Sequence, residues 1–417
     1  MTRHYSAFSL FKEGLKGHSG WGQSWRSPTP KPKYDVIIIG GGGHGLATAY
    51  YLAKTHKITR VAVLEKGWIG GGNTGRNTTV IRSNYFYPQS TDLFDLSVRL
   101  YESLSKELNF NLMFSQRGMM VLAHSENEME MAARNVNAML LNGVDAELLD
   151  REAVQRAAPI LNFQSDARFP IFGAVNQPRA GVARHDAVAW AYARAADKLG
   201  VDIVQNCEVT GFVTESNRIC GVETNRGEIR ADRVGAAVAG NSSTLAKLAG
   251  VSLPITTYSL QAFVSEPVKP VLDTVVFSPA TGAYFSQTDK GDIVVGGALD
   301  RVPSFAQRGN PPVQSQVVSG MLEMAPALSR LRLLRQWAGA VDVTPDSSPI
   351  IGPVGIDGLY FNCGWGTGGF KAIPAGGTLF AHLLARNQHH SISAPFDVKR
   401  FETGALIDEA AASGIDH

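Results

Sequence analysis

Three glycines near the start of the chain have the spacing of a phosphate-binding loop. Gly40, Gly42 and Gly45 fit the pattern G-x-G-x-x-G, in which the small residues allow a tight turn and a close approach of the backbone to a ligand. Glu65 follows Gly45 by 20 residues, where a carboxylate accepts hydrogen bonds from a ribose 2′-hydroxyl and repels a 2′-phosphate. The chemistry that these residues predict is the binding of a dinucleotide.

The segments around these glycines must position them. Residues 34–39 form a short β-branched run typical of a buried parallel strand, residues 46–54 have a helical pattern, and residues 61–64 form a second strand that leads into Glu65. A strand–helix–strand unit presents the helix N-terminus, with its free N–H groups and positive dipole, to a pyrophosphate. The motif therefore lies in the structural setting that it needs.

Two further glycine-rich loops favour FAD over NAD. The first covers residues 70–79, soon after Glu65, and the second covers residues 364–371 near the other end of the chain. Backbone donors from opposite ends of a chain suit a long cofactor that is held extended. We expect no NAD site in this chain.

The rest of the chain alternates between helical and strand patterns. Helices are predicted at 126–142 and 185–199, and short alternating strands at 253–300 are typical of an antiparallel sheet. The predicted fold class is α/β, a Rossmann-like FAD-binding domain with an inserted, mostly antiparallel β-sheet substrate domain. The predicted division is a tail and Pro-rich linker at 1–33, a discontinuous FAD-binding domain at 34–110, 165–250 and 330–390, a substrate domain at 111–164 and 251–329, and a C-terminal extension at 391–417.

Charge and composition argue against several classes of function. The formal net charge is +2, and six of the 39 Lys and Arg residues lie in residues 1–33 with one of the 37 acidic residues, so the body is slightly acidic. A nucleic-acid-binding protein with a basic face is therefore not expected. The 3 cysteines have no metal-ligand spacing, so we expect neither a disulfide framework nor a metal site.

The chain has no apolar window that would span a membrane, and a cytoplasmic location is expected. Its tail is unusual because disordered tails are generally poor in aromatic residues. The aromatic residues of the tail are Tyr5, Phe8, Phe11, Trp21 and Trp25. Two interpretations stay open: the tail packs on the body of this chain, or it docks on a partner subunit.

Longer motifs resemble a known family. Residues 40–45, Glu65, the string TPDSSP at 344–349 and residues 364–371 together resemble the D-amino-acid-oxidase-like FAD-dependent amine oxidoreductases. Within that family, the β subunits of heterotetrameric sarcosine oxidases are similar to GHGLATAYYL at 43–52, VLEKGW at 63–68, FSQRG at 114–118 and NCGWGTGGFK at 362–371. The resemblance extends over nearly all of residues 34–405 and implies a noncovalent FAD together with a second flavin, a covalently attached FMN.

The resemblance implies FAD-binding roles for residues in both glycine-rich regions. His44 lies inside the phosphate loop, and Val209 would offer its backbone to the adenine, although from its strand position alone it would be an ordinary core residue. The FAD-binding residues implied are Gly40, Gly42, Gly43, His44, Gly45, Glu65, Asn73, Arg76, Thr78, Thr79, Val209, Gly366, Gly369 and Lys371.

For FMN, the resemblance implies attachment through the 8α-methyl group to His185, in the string QPRAGVARHD at 177–186. From the residues alone, His185 would be a capping or surface histidine at the start of a helix. Arg184 and Arg335 are implied as FMN contacts, since guanidinium groups suit phosphate oxygens. Either arginine could equally be a partner in a surface ion pair.

The substrate that the resemblance implies is a small zwitterion, sarcosine. Arg82 and Lys371 match the pair of cations that binds its carboxylate, which two converging cations hold better than one. Without the resemblance, Arg82 would be a surface charge at a strand end. Lys290 matches a lysine close to the flavins and is implied in electron or oxygen chemistry; the plain alternative is a lysine of a hairpin turn.

The implied reaction is the oxidative demethylation of sarcosine to glycine. A hydride passes to FAD, electrons pass to FMN and then to O2, which gives H2O2, and the methylene group goes to tetrahydrofolate or is released as formaldehyde. The implied partners are α, γ and δ subunits, and NAD and tetrahydrofolate would bind only there.

Three alternatives stay open. One is a single-subunit FAD dehydrogenase of another secondary or D-amino acid, and another is a noncatalytic flavin-bearing scaffold subunit. The third concerns the substrate, because the sequence does not separate sarcosine from dimethylglycine or proline, which differ by groups worth about 1–3 kcal/mol.

Overall fold

The computed structural model describes residues 6–19 and 22–407. The helices are α1 Ala7–Leu15, α2 Gly43–Lys54, α3 Pro88–Glu107, α4 Glu126–Leu141, α5 Arg151–Ala157, α6 His185–Lys198, α7 Ser242–Leu248, α8 Pro311–Met324, α9 Ile373–Arg386 and α10 Arg400–Thr403. Short 3-10 helices cover Asn73–Arg76, Ala239–Asn241, Pro326–Arg330, Gly366–Gly368 and Ala394–Phe396.

The strands belong to three sheets. They are β1 Lys33–Ile39, β2 Val61–Leu64, β3 Val80–Ile81, β4 Ser115–Gln116, β5 Met119–Ala123, β6 Glu147–Asp150, β7 Gly173–Gln177, β8 Gly181–Val182, β9 Asp202–Val204, β10 Val209–Glu215, β11 Arg218–Thr224, β12 Gly227–Ala236, β13 Thr256–Pro267, β14 Val275–Ser278, β15 Ala283–Gln287, β16 Asp292–Pro303, β17 Leu333–Val343, β18 Ile350–Pro353 and β19 Leu359–Cys363.

The first sheet is the dinucleotide-binding sheet. Its strands β9, β2, β1, β12 and β19 are parallel neighbours in that order, and β10, β11 and β18 add antiparallel edges. The apolar runs of β1 and β2 are buried on both faces. One face packs in a core cluster with α2, α6 and α9, and the other packs in a cluster with β10, β11, β12 and α7. The predicted strand–helix–strand unit is confirmed, with α2 between β1 and β2.

The second sheet is large and mostly antiparallel. Its order is β17-β13-β16-β15-β14-β5-β7-β6, and the β14–β5 pair is parallel. A small third sheet, β3-β8-β4, lies next to the cavity described below. The predicted α/β fold class, with an inserted antiparallel domain, is confirmed.

Strands β7 and β17 belong to the large sheet, whereas the sequence-based division implies the dinucleotide-binding sheet. That division assigns residues 173–177 and 333–343 to the FAD-binding domain, but β7 and β17 both pair within the large sheet. The physical reason is long-range pairing: β17 forms its ladder with β13, from Thr256↔Val343 to Ser265↔Leu333. The rest of the predicted division stays a proposal.

Small residues let α2 and α9 approach closely. A Cβ added to Gly43 would lie 2.2 Å from Ile373, and one added to Gly377 would lie 2.4 Å from Ala47. This contact joins the first glycine loop, which begins α2, to the second, which precedes α9.

None of the helices in the described part of the chain combines the length and apolar character that crossing a bilayer requires.

The described residues of the tail differ in whether they contact the rest of the chain. Trp25 packs against the main core, Arg26 Nε pairs with Asp197 at 2.8 Å, and Lys31 pairs with Asp202 at 2.6 Å. By contrast, α1 has no buried residue, and Phe8 and Phe11 are exposed. Tyr5 and Trp21 of the predicted tail lie outside the described residues, as do residues 408–417 of the predicted C-terminal extension.

Candidate active site

A cavity of about 750 Å³ lies between the dinucleotide-binding sheet and the large sheet. Its floor is at the carboxyl ends of β1 and β2, where Ile39 and Leu64 line it, and its roof includes Leu260 and Tyr284 of the large sheet. Ligands of open α/β sheets bind at this edge. The cavity extends from Glu65 at one end to Arg82 and Lys371 at the other.

The phosphate loop is built by close backbone packing. Gly40 has φ 107°, and a Cβ added to Gly45 would lie 2.0 Å from the Gly40 carbonyl oxygen, so only glycine fits there. The loop leads into the N-terminus of α2, which offers free N–H groups and positive dipole. Gly43 N donates to Thr74 Oγ1 at 2.9 Å, which ties this loop to the next one.

Glu65 is held by backbone donors. Its Oε2 accepts from Gly41 N at 2.8 Å, and its Oε1 accepts from Gly67 N at 2.7 Å. A carboxylate has about four acceptor sites, so lone pairs remain for ribose hydroxyls. Val209 lines the cavity beside Glu65 and Cys207, which places all three at the end of the cavity where an adenosine would bind.

The loop at residues 70–79 covers the middle of the cavity and is pinned to the large sheet. Asn73 Nδ2 donates to Ala340 O at 2.6 Å, Trp337 Nε1 donates to Arg76 O at 2.7 Å, and Thr78 Oγ1 lies 2.8 Å from Tyr284 OH. Thr79 has φ 70°, which is strained for a β-branched residue. Strained residues are concentrated at functional sites, where the surrounding contacts keep the backbone in its strained conformation.

His44 links the first glycine loop to the second. Its Nε2 donates to Gly369 O at 2.8 Å, and its ring stacks on Trp365 with centroids 4.6 Å apart. Burial lowers the pKa of His44 to about 4, so the ring is neutral near pH 7. Asn362 completes the cluster: its Oδ1 accepts from Trp365 Nε1 at 2.7 Å, and its Nδ2 lies 3.5 Å from His44 Nδ1.

Asp342 holds the start of the second glycine loop. Its Oδ2 accepts from Gly364 N at 2.5 Å, and burial raises the pKa of this carboxyl to about 7. Because Asp342 is the next-to-last residue of β17, it connects the large sheet to the loop that carries Gly366, Gly369 and Lys371.

Arg82 and Lys371 meet around Tyr85. The Arg82 guanidinium carbon lies 4.8 Å from the Tyr85 ring centroid, and Lys371 Nζ lies 3.4 Å from the Tyr85 hydroxyl oxygen. The Tyr85 ring stacks on Phe94 at 3.9 Å, which fixes its plane. Arg82 Nη1 also donates to Asn84 Oδ1 at 2.6 Å. A guanidinium group and a lysine amino group that both line one cavity suit a small carboxylate.

His185 lies behind the cavity wall rather than in it. It begins α6 and is half-buried, and burial lowers its pKa, so its ring is neutral at neutral pH. The preceding segment contacts the cavity loop, since Ala183 N donates to Thr79 O at 3.2 Å. Arg184 Nη2 pairs with Asp186 Oδ2 at 3.0 Å.

Lys290 and Arg335 lie away from the cavity. Lys290 is exposed in the turn between β15 and β16, and Arg335 is exposed on β17. Val264 of β13 pairs with both Arg335 and Val294, beyond the cavity-lining segment of that strand. The large sheet therefore places both residues at its far end.

Several site residues were missed from the sequence. Thr74, Tyr85, Asn362 and Trp365 line the cavity or position residues that do, and Asp342 closes the second loop. Asn362 and Trp365 lie inside the NCGWGTGGFK string, so their place in that motif was an available signal. The signal for Tyr85 was weaker: it is an aromatic residue that closely follows Arg82.

Comparison with known proteins defines the family. The family described as FAD dependent oxidoreductase, DAO, matches residues 35–383. The chain belongs to this family. The cavity fits FAD, because Glu65, the glycine cradle and the covering loop can hold in turn the adenosine ribose, the pyrophosphate and the flavin.

Three relatives are similar over nearly their whole length, which confirms the resemblance inferred from the motifs. The sarcosine oxidase subunit beta of Rhizobium meliloti (strain 1021) is 55% identical over 405 residues, 97% of each chain. The protein of the same description from Rhodobacter capsulatus is 49% identical over 415 residues, 100% of each chain, and that of Arthrobacter sp is 51% identical over 94% of this chain and 97% of the relative.

Solved structures of this family share the fold. L-proline dehydrogenase from P. horikoshii superposes with a TM-score of 0.84 at 30% identity, over 91% of this chain and 100% of that chain. Glycine oxidase from Geobacillus kaustophilus superposes with a TM-score of 0.79 at 23% identity, over 89% of this chain and 99% of that chain.

Proposed function

We propose that this chain is the catalytic β subunit of a sarcosine oxidase, which oxidises the N-methyl group of sarcosine to give glycine. The observation that carries the proposal is the pair Arg82 and Lys371 at the end of the FAD cavity opposite Glu65. The extent of similarity to three sarcosine oxidase β subunits supports it. We further propose that the site residues named from the sequence have the roles given there.

The residues of this chain bind and orient the substrate. The carboxylate of sarcosine lies between Arg82 and Lys371, whose positions are fixed by Tyr85, and this orients the N-methyl carbon. A bound FAD would supply the acceptor for the hydride of that carbon. The buried side chains of the cavity wall, including Trp365 and Phe370, exclude water from the reacting groups.

A direct test measures products with air as the oxidant. With sarcosine, the assembled enzyme should form glycine and H2O2 in equal amounts. L-proline and dimethylglycine should react with kcat/KM at least about tenfold lower, because extra carbon groups in a closed pocket are worth about 1–3 kcal/mol. The second candidate, an L-proline dehydrogenase, is favoured by the solved structure at 30% identity. Faster oxidation of L-proline than of sarcosine with a quinone as the electron acceptor, and no H2O2 formation in air, would establish that candidate instead.

We propose that His185 holds a covalent FMN, which would supply the site of electron transfer to O2. The neutral imidazole suits attachment, since a ring nitrogen must supply a lone pair, and β8 places the segment before His185 against cavity residue Thr79. Arg184 and Asp186 flank it as an ion pair. The roles of Lys290 and Arg335 rest on the resemblance alone, since both lie away from the cavity.

His185→Ala should remove the flavin that stays with the protein after acid precipitation and leave the noncovalent FAD. Mass spectrometry of the denatured chain measures this directly: the wild-type mass should include one FMN and the variant mass should not. His389→Ala is the matched control, because His389 pairs with Asp397 at 2.9 Å outside the cavity lining. A wild-type chain with no added mass would contradict the FMN proposal.

We propose that α1 docks on a partner subunit, among the α, γ and δ subunits of a heterotetramer. Its exposed apolar residues Phe8, Phe11 and Leu15 recur at helical spacing on one face. The family match begins at residue 35, whereas the relative from Rhodobacter capsulatus aligns over 100% of this chain, so α1 lies in the part shared with that β subunit. NAD and tetrahydrofolate would bind on partner subunits.

Replacing Phe8 and Phe11 together by Asp should weaken assembly and leave FAD content unchanged. Size-exclusion chromatography of the co-expressed subunits measures the assembled fraction. Leu141→Asp is the control, because Leu141 is 88% exposed on a different helix. Equal loss of assembly in this control would contradict a specific role for α1.

A further inference from the structure

Lys371 has surroundings that disfavour a charged ammonium group. The residue is 6% exposed, and its Nζ lies 5.8 and 5.9 Å from the ring centroids of Tyr85 and Phe94. No carboxylate of the described residues forms an ion pair with it, and the charged neighbour that acts on it is the cation Arg82. Burial and the Arg82 charge both lower the pKa of Lys371 well below its ordinary value.

The other titratable groups near Lys371 do not offset these effects. The segment after β3 contributes Arg82 and Tyr85, and α3 contributes Tyr101, whose pKa burial raises, so it stays neutral. From α2, His44 is neutral, because burial lowers its pKa to about 4. Asp342 lines the same cavity, but its carboxyl group accepts a hydrogen bond from Gly364 N.

A substrate amino acid arrives with a charged ammonium group, and the reaction requires its nitrogen to be neutral. Free sarcosine is a zwitterion whose ammonium nitrogen has no lone pair, and loss of a hydride from its N-methyl carbon needs that lone pair. The site must therefore remove one proton from the substrate, and it must also supply positive charge to the carboxylate. A neutral lysine that becomes charged meets both needs.

We propose that Lys371 accepts the ammonium proton of the incoming amino acid. This inference rests on the proposed function. One N–H bond of the substrate breaks and its electron pair stays on the amine nitrogen, while the proton bonds to the lone pair of Lys371 Nζ, so the total charge is unchanged. The new Lys371 ammonium then faces the carboxylate together with Arg82, donates to the Tyr85 hydroxyl and is stabilised by the two aromatic faces.

Calorimetry of a substrate analogue tests the proposal. Methoxyacetate has the carboxylate of sarcosine but an ether oxygen in place of the ammonium group, so it brings no proton. Its binding to the assembled enzyme at pH 8, measured in buffers of different ionisation enthalpy, should take up about one proton from solvent. Lys371→Arg should bind it with no proton uptake, because arginine is always charged. Binding to the wild-type enzyme without uptake would overturn the inference.

A second readout uses sarcosine itself and does not depend on the analogue. After anaerobic mixing in weak buffer with a pH indicator, the wild-type enzyme should release no proton when the complex forms. Lys371→Arg should release about one proton, because arginine is already charged and the ammonium proton of sarcosine must then go to solvent. Release by the wild-type enzyme would overturn the inference while the proposed function stands. If sarcosine neither binds nor reduces the flavin, the proposed function itself fails.

Discussion

Arg82→Met lowers kcat/KM for sarcosine by about a hundredfold, since losing one partner of a buried charged contact costs about 3 kcal/mol. Arg82 faces the cavity and stacks on Tyr85, so methionine keeps part of the packing while removing the charge that holds the carboxylate. FAD content should not change, because the phosphate loop and Glu65 lie at the other end of the cavity. Steady-state kinetics and the flavin absorbance per chain measure the two effects.

Arg60→Met is the matched control for this variant. Arg60 is 61% exposed in its side chain and lies 3.7 Å from Asp35 in a surface ion pair, which is worth at most about 1 kcal/mol. Its kcat/KM should equal that of the wild type. An Arg82→Met enzyme with unchanged KM and kcat would show that the carboxylate binds elsewhere.

Gly45→Ala weakens FAD binding by about a hundredfold or more, since overpacking of about 3 kcal/mol is expected at this position. The added Cβ would lie 2.0 Å from the Gly40 carbonyl oxygen, a backbone atom that moves only if β1 and α2 move apart. Such a shift would displace the N–H groups that bind the pyrophosphate. Reconstitution of the apoprotein with FAD, followed by flavin fluorescence, gives the dissociation constant.

Gly67→Ala is the control for the glycine variant. Gly67 also lines the cavity, but its added Cβ would lie 3.5 Å from Glu65 Oε1, an ordinary contact. Its FAD affinity should stay within about threefold of the wild type, since ordinary contacts cost well under 1 kcal/mol. Similar losses in both variants would contradict the assignment of Gly45 to the phosphate loop.

The sequence predicted the dinucleotide-binding unit because its signals are local. The strand, the glycine turn, the helix and Glu65 lie within one short segment, and each follows from neighbouring residues. The pairing of β17 with β13 is different, because it joins residues some 80 positions apart and no local pattern encodes that register. The assignment of β7 and β17 to a sheet therefore needed the structure.

The site was predictable where chemistry marks a residue and unpredictable where only packing does. Arg82 and Lys371 could be named in advance because they match the carboxylate-binding pair of the family that the motifs resemble, whereas Arg82 by itself would be a surface charge. Tyr85 acts by touching both of them, and nothing in its own segment indicates that Lys371, from the other end of the chain, lies 3.4 Å from its hydroxyl. The role of Lys290 stays a prediction, because it rests on a motif match alone and the residue lies in a turn outside the cavity lining.

The central claim is that this chain binds sarcosine between Arg82 and Lys371 and oxidises it with its own FAD. Anaerobic mixing of the assembled enzyme with sarcosine, followed at the flavin absorbance, tests this claim without any later step. We predict that sarcosine bleaches the FAD of the wild-type enzyme completely, and that at low sarcosine the FAD of Arg82→Met bleaches at least about a hundredfold more slowly. A fully FAD-loaded wild-type enzyme whose flavin stays oxidised in sarcosine would contradict it.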